Sequence, residues 1–314
     1  MNRQLKRAVE RALLLAGVPA LARRASRTRA VVLMYHNVVP DGAQPGGDRS
    51  LHLGRREFAA QLDFLGRACD VVPLDGLIEG RPVATGRIRV AITFDDAYEG
   101  AATIGVDELA KRGMPATIFV PPALLGRHTW WDVVANKTGG EIPATVRGDL
   151  LTRLGGREAL TLAHMNGDGK GEREAGTAVS TAENGLPNLR IAKFDQLVQV
   201  SKRPGITVGS HTWTHPNLAT ASPDDLRAEL VRPLEWLRER IASYVPFVTY
   251  PYGLSSPRVE KEAQQAGYSA AFLAGGGWLP SDPAQARFAL PRFNIPAGLS
   301  ADGFRLRLSG FGIR

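Results

Sequence analysis

Apolar positions along the chain fall into runs of two kinds, and the two alternate. Runs at 31–39, 88–94, 116–120, 206–211, 247–251, 270–273 and 288–295 are rich in β-branched and aromatic residues and apolar on both faces. A strand buried on both sides reads this way, because parallel sheets are covered by helices on their faces. Between these runs the spacing changes to that of a helix with one apolar face. Phe58, Leu62 and Leu65 mark one such segment over 57–68; Val106, Leu109 and Ala110 mark another, ending at Gly113. Leu226, Leu230, Leu234 and Leu237 line a long one over 224–242 that contains Pro233, and a shorter one spans 257–267. A short strand at 70–73 and a helical turn at 74–79 complete the front half. Strand and helix in alternation predict an α/β architecture, a parallel sheet or a barrel.

The rhythm breaks between 121 and 204. Trp130-Trp131-Asp132 opens a helix-like piece, and 167–185 is rich in Gly, Ala, Ser, Thr and charge with nothing to pack. The latter reads as a mobile loop, and the whole stretch as an insertion beside a cleft. The expected organisation is a leader (1–30), a body (31–300) and a tail (301–314), with no internal repeat.

Charge changes this picture at the amino end. Of a formal net charge of +8, residues 1–30 supply +7, with eight Lys/Arg against Glu10 alone; the rest holds 31 basic and 30 acidic residues. The body is therefore neutral, and nucleic acid is not the expected partner, since such binders carry basic residues on the folded domain. At a helical period Leu5, Val9, Ala12, Leu13 and Ala16 share one side of the leader, and Arg3, Lys6, Arg7, Glu10 and Arg11 the other. One reading is a basic amphipathic helix lying on an anionic membrane face, with the protein retained in the cytoplasm at the inner membrane. The other is a signal peptide, with an apolar run from Ala12 to Ala22 and Ala20-Leu-Ala22 as cleavage site, although Gly17-Val-Pro19 interrupts it. No stretch reaches the roughly 18–20 apolar residues of a spanning helix. The single cysteine, Cys69, excludes an internal disulfide framework and reads as a buried thiol at a helix end.

Candidate chemistry sits at strand ends. The run 88–94 climbs to Asp95 and Asp96 and stops. Carboxyl ends of parallel strands are where α/β folds place their sites. Adjacent residues of a regular strand face opposite ways, so both carboxylates reach one cleft only if the chain bends there; a plain polar turn is the alternative. His211 and His215, after the strand at 206–211, are four apart, so one helical turn would aim both imidazoles the same way. Two imidazoles and a carboxylate make a facial set for a divalent metal with positions left for water and substrate. Pro251 and Gly253 close another strand end in a turn that would present the Tyr252 amide N–H to an oxyanion. Trp130, Trp131 and Trp213 are candidates for stacking on sugar rings, with core packing the alternative for the first two. His52, His128 and His164 are assigned to surface or loop.

These residues resemble the polysaccharide deacetylase (NodB-homology) family, carbohydrate esterase family 4. Its TFDD motif is similar to Thr93–Asp96, its H-[ST]-x-x-H motif to His211–His215, and its P-Y-G ending to Pro251–Gly253; the likeness spans 31 to about 296. Met34-Tyr-His36 resembles the first strand of the exopolysaccharide-linked branch. The resemblance implies a distorted (β/α) barrel of about seven parallel strands and one divalent metal, usually zinc, with cobalt or nickel as alternatives. It implies removal of N-acetyl groups from amino sugars of an envelope or exopolysaccharide glycan, the partner being an N-acetylated glycan or lipid-linked sugar. It also implies Asp95 as general base and Asp96, His211 and His215 as metal ligands.

Three positions depart from the family pattern. The arginine that opens the third motif is Thr249; the acidic fourth motif is not evident, with Gly275-Gly-Gly-Trp278 in its region; the leucine-histidine of the fifth reads Leu290-Pro-Arg-Phe-Asn294. No histidine follows His215. The expected substitutes, from their strand-end placement, are His36 as acid or orienter and Arg292 as the cation beside Asp95. A non-catalytic carbohydrate-binding barrel and an amidohydrolase of small non-sugar amides remain the competing classes.

Overall fold

The computed structural model describes residues 3–16, 30–80, 87–157, 161 and 188–309. The expected loop at 167–185, His164 and the second half of the leader lie outside them. In chain order the front half runs α1 (Arg3–Leu15), β1 (Ala30–Tyr35), β2 (Asn37–Val39), β3 (His52–Gly54), α2 (Arg55–Ala68), β4 (Cys69–Val71) and α3 (Leu74–Ile78). The centre is β5 (Ile88–Phe94), α4 (Val106–Ala110), β6 (Ala116–Val120), α5 (Trp130–Lys137), α6 (Ala144–Arg153) and α7 (Phe194–Ser201). The last part is β7 (Ile206–Ser210), α8 (Pro223–Arg240), β8 (Tyr244–Thr249), α9 (Pro257–Gln265), β9 (Ala270–Gly276), β10 (Leu290–Asn294) and α10 (Ala301–Leu308).

Seven strands close into a barrel in the order β1-β10-β9-β8-β7-β6-β5, sealed by a parallel β1–β5 pairing from Ala30↔Arg89 to Tyr35↔Phe94. Every neighbouring pair in the ring is parallel. This is the barrel the alternating pattern and the family resemblance imply. β4 flanks the first half of β5 outside the ring. The period of two within each strand divides the core. Val32, Ala91, Phe119, Phe247, Phe272 and Leu290, from six different strands, pack together inside the barrel. The alternate set, including Val31, Leu33, Val90 and Ile92, packs outward on Phe58, Leu62 and Leu65 of α2. The leucine stripe of α8 covers β8 and β9 together with Val259 of α9. Each such leucine contributes about 1.5–3 kcal/mol of apolar transfer. Ser222 caps α8 by accepting the Asp225 N–H at 3.2 Å.

One local departure from the hydrophobic pattern shapes the cleft. The run 31–39 is not one strand. It breaks at His36, and β2 leaves the barrel to pair with β3 in a separate two-stranded sheet. At the other end of the chain, α10 packs on α2 and α1 packs on α10, fixed by the Ser300 hydroxyl donating to the Glu10 carboxylate at 2.6 Å. Cys69 is buried at the end of α2, as its place in the sequence predicts.

Candidate active site

The central strand brings its two carboxylates into one cleft by bending. Asp95 still belongs to the ladder, its N–H donating to the Tyr35 carbonyl at 2.9 Å. Asp96 (φ 66°) and Ala97 (φ 57°) then adopt left-handed conformations. Asp tolerates that region better than most residues, while Ala pays roughly 1–2 kcal/mol there; strain of this kind concentrates at functional sites. Thr212 (φ 66°), His215 (φ 63°) and Tyr252 (φ 60°) repeat the device at the other two strand ends. The two histidines are therefore brought together by a strained loop. The helical turn expected from their spacing of four does not form.

Asp96, His211 and His215, all buried, converge. The two imidazole Nε2 atoms are 3.0 Å apart, and each lies 3.3–3.4 Å from Asp96 Oδ1. Ligands about 2.0–2.1 Å from a tetrahedral ion stand roughly 3.3–3.4 Å from one another, so the trio has nearly the spacing an ion requires. Asp96 Oδ1 is buried without a hydrogen-bond partner, an arrangement that is costly unless something else neutralises it. The backs of both rings are held. His211 Nδ1 donates to the Thr249 carbonyl at 2.8 Å, with Thr249 Oγ1 also at 2.7 Å, and His215 Nδ1 meets the Tyr252 hydroxyl at 3.2 Å. A carbonyl only accepts, so the His211 tautomer is set with its Nε2 lone pair toward the trio. The residues present fit a divalent ion. Burial lowers the affinity of both rings for protons. At His211 the nearby Asp95 and Asp96 overcome it and raise the pKa, whereas His215, beside two other imidazoles, stays well below its ordinary range.

Asp95 lies beside the trio, its Oδ2 3.9 Å from His211 Nε2. Arg292, fully buried on β10, grips it bidentately: Nη1 donates to Oδ1 at 2.7 Å and Nη2 to Oδ2 at 2.6 Å. Arg292 Nε donates to the Leu273 carbonyl at 2.8 Å, and Nη1 also reaches Thr93 Oγ1 at 3.2 Å. Burial alone would raise the Asp95 pKa, but the guanidinium and the imidazoles hold it down at about 2. The cation missing at Thr249 is thus supplied from another strand, and Thr249 itself orients a ligand.

His36 stands at the break between β1 and β2, half-buried, and lines a cleft of about 320 Å³ with Asp95, Asp96, His211 and His215. Burial lowers its pKa, against the opposing pull of Asp96 and Asp95. Pro251 and Tyr252 form the turn at the end of β8. Gly253 (φ 70°) is required there, because a Cβ would strike Ala274. The Tyr252 ring packs on His215, and its hydroxyl oxygen accepts the Trp130 indole N–H at 3.1 Å. Trp130 is core, while Trp131 lines the cleft and stacks on His215 with centroids 4.6 Å apart. Trp213 is not among the cleft residues. Its indole lies under the Arg232 guanidinium of α8 at 4.4 Å, and its backbone N–H is held by Glu229.

His52 and His128 are buried rather than superficial. His52 belongs to a network that the sequence did not reveal, centred on Asp132. This fully buried carboxylate accepts from the Asp48 N–H (2.9 Å), the Tyr98 hydroxyl (2.5 Å) and the Thr129 hydroxyl (3.0 Å), and meets His52 Nε2 at 3.0 Å. Trp131 donates to Tyr98 Oη at 2.8 Å, so the carboxylate sets the wall against His215. Asp48 in turn forms an ion pair with Arg147 at 2.6 Å, and both line the cleft. Asp132→Asn replaces one accepting oxygen with a donor facing donors. We expect a loss of about 1–3 kcal/mol in urea unfolding, and a weaker KM rather than an abolished kcat; unchanged stability would show the network to be dispensable.

Comparison with known proteins agrees with this fold. A peptidoglycan-N-acetylglucosamine deacetylase of Bacillus cereus is 39% identical over 62 residues, which cover 19% of this chain and 22% of that protein. The match thus spans about a fifth of that relative's length. Among solved structures, the Streptococcus pyogenes deacetylase PplD in complex with acetate superposes with a TM-score of 0.58 at 17% identity, covering 88% of this chain and 96% of that one. The Bacillus cereus polysaccharide deacetylase BC0361 gives 0.61 at 15% identity, covering 89% and 69%. IcaB from Ammonifex degensii gives 0.54 at 18%, covering 90% and 96%. Likeness at these identities shows a shared barrel. Residues 83–271 match the family model for polysaccharide deacetylase, and the chain belongs to the polysaccharide deacetylase family.

Proposed function

We propose that the chain is a metal-dependent hydrolase removing N-acetyl groups from amino sugars of an envelope or exopolysaccharide glycan. The observation that carries this reading is the convergent trio Asp96, His211 and His215 beside an ionised Asp95 held by Arg292. A barrel that only binds sugar needs neither a spaced ligand set nor a carboxylate kept charged in a buried position. The deacetylases it resembles, one of them named for peptidoglycan N-acetylglucosamine, favour an amino sugar over a small non-sugar amide.

A divalent ion on the trio, zinc first with cobalt or nickel as alternatives, would supply polarisation of the acyl carbonyl and acidification of water. The chain's own residues do the rest. Asp95 accepts a proton from the attacking water through the lone pairs that Arg292 leaves unused. Arg292 keeps that carboxylate ionised and fixes its plane. Thr249 and Tyr252 hold the two imidazoles in register, and the Tyr252 amide, placed by Pro251, donates to the developing oxyanion. His36, at the end of the neighbouring strand β1, gives a proton in its protonated minority form to the departing nitrogen. Acetate and a free amine leave, and the proton taken by Asp95 balances the one released by His36. A cleft of this size, near the lower end of small-ligand pockets at roughly 300–1,000 Å³, suits one sugar unit at a time.

The test is acetate release from N-acetylglucosamine oligomers by purified protein, alongside lipid-linked and small acylated amines. Release from the oligomers supports the reading; release from small amides alone would replace it. His36→Ala is expected to cost about 10²–10⁴-fold on a sugar amide and far less on an acetanilide with a good leaving amine, which needs little protonation. Equal losses on both would remove His36 from the acid role.

A further inference from the structure

The orientation of α1 is unusual for a surface helix. Among its described side chains, Glu10, Leu13 and Leu14 are half-buried. Glu10 anchors the inner face, accepting from the Ser300 hydroxyl at 2.6 Å. The outer face carries Leu5, Ala8, Val9, Ala12, Leu15 and Ala16, all exposed. At about 100° per residue these six fall on an arc roughly 120° wide. Leu5, Val9 and Leu15 are 57%, 44% and 81% exposed, and they are three of the five large hydrophobic residues exposed among those described. Arg11, also exposed, flanks the stripe on one side, and Arg7, exposed but turned further toward the body, lies within electrostatic reach of Glu57 on α2. The one acid of the helix is turned inward. A water-facing helix normally presents the reverse arrangement, and a contiguous apolar patch of this kind marks a contact surface.

We propose that α1 is a membrane-docking element, its outward apolar stripe entering the headgroup layer of an anionic bilayer while Arg11 pairs with a lipid phosphate. Charge selects this occupant. Among the described side chains the exposed face carries no anion and has Arg11 at its edge, which complements an anionic surface, while Arg7 is shared with Glu57 of α2. A second copy packed face to face would bring the arginines of both together. Depth selects it too: no described helix is long and apolar enough to cross a membrane, whereas an interfacial helix buries its apolar face only about 5–10 Å. The proposal does not depend on the deacetylase reading, and its test does not use turnover.

The experiment is flotation of the full chain with vesicles of phosphatidylcholine alone or with one quarter phosphatidylglycerol, at 0.1 M and 0.5 M NaCl. Partitioning is expected on the anionic vesicles at low salt, falling at high salt as the arginine contribution is screened. Arg11→Gln should weaken partitioning about fivefold. Leu5→Gln/Val9→Gln/Leu15→Gln, all at exposed positions and checked for an unchanged melting temperature, should weaken it at least about tenfold. Equal binding to neutral and anionic vesicles, or a triple variant that partitions like the parent, would overturn the proposal. So would a dimer in sedimentation that the triple substitution breaks, because the stripe would then join two copies.

Discussion

Asp95→Asn is expected to lower acetate release by about 10²–10⁴-fold while leaving ion binding intact. The two parts of that result separate because the two adjacent carboxylates do different work. Asp96 Oδ1 stands 3.3–3.4 Å from both imidazoles and has no other partner. Asp95 has both oxygens engaged by Arg292 and lies 3.9 Å from the nearer ring. Asn at 95 keeps the shape and one oxygen for the guanidinium but has no charge with which to take a proton. Metal content by elemental analysis and acetate release by enzymatic assay, run on the same preparation, decide it. If both fell together, Asp95 would be holding the ligand set rather than the water. If neither fell, the base would lie elsewhere in the cleft.

Arg292→Met should produce the largest loss of stability, about 3–5 kcal/mol in denaturant unfolding, because it leaves a buried carboxylate without its cation. The pH dependence of the ion-free chain gives a sharper test. In the parent, the folded Asp95 pKa of about 2 lies below its ordinary value of 3.8. The pair therefore contributes about 2 kcal/mol that is fully present above pH 3.8 and is lost as pH falls toward 2. Without the guanidinium, burial is opposed only by the imidazoles of His211 and His36, and the folded pKa rises. The contribution of this site in acid then shrinks, and the variant loses less stability than the parent as pH falls toward 2. Urea midpoints from pH 2 to 6 compare the slopes. Parallel curves for parent and variant would mean that the ion pair does not govern the Asp95 charge. Arg292→Lys should recover part of the stability and little of the geometry, since an ammonium cannot make the planar two-bond grip.

Much of this site is legible in the sequence for a definite reason. Strands buried on both faces give unbroken apolar runs, and their ends are where polar residues interrupt them. Asp95, Asp96, His211 and Pro251 stand out on that ground alone, and Arg292 stands out because a buried strand rarely tolerates an arginine without a partner. What was hidden depends on distant or conformational partners. His36 is expected at the end of the first barrel strand, yet the apolar pattern of 31–39 does not mark the break itself, because Asn37, Val38 and Val39 are as buried as the residues before it. Left-handed backbone at Asp96, Thr212, His215 and Tyr252 leaves no glycine as a marker. The spacing of His211 and His215 therefore suggested a helix where a strained loop forms. Asp132 looked like the polar start of a helix, and His52 like a surface residue. Their pairing spans 80 positions and shows only in three dimensions. Trp213 lies outside the cleft lining and against Arg232, since an indole suited to a sugar is equally suited to a neighbouring arginine.

The measurement that tests the central claim most directly is a titration of the metal-stripped protein with zinc, cobalt or nickel, following acetate release from N-acetylglucosamine oligomers. The trio predicts release that is absent without metal, rises linearly to one equivalent of ion per chain and then levels, with His211→Ala and His215→Ala flat throughout. Full release from the stripped protein in the presence of a strong chelator would contradict it, as would saturation by an ion that His215→Ala still binds and uses unchanged.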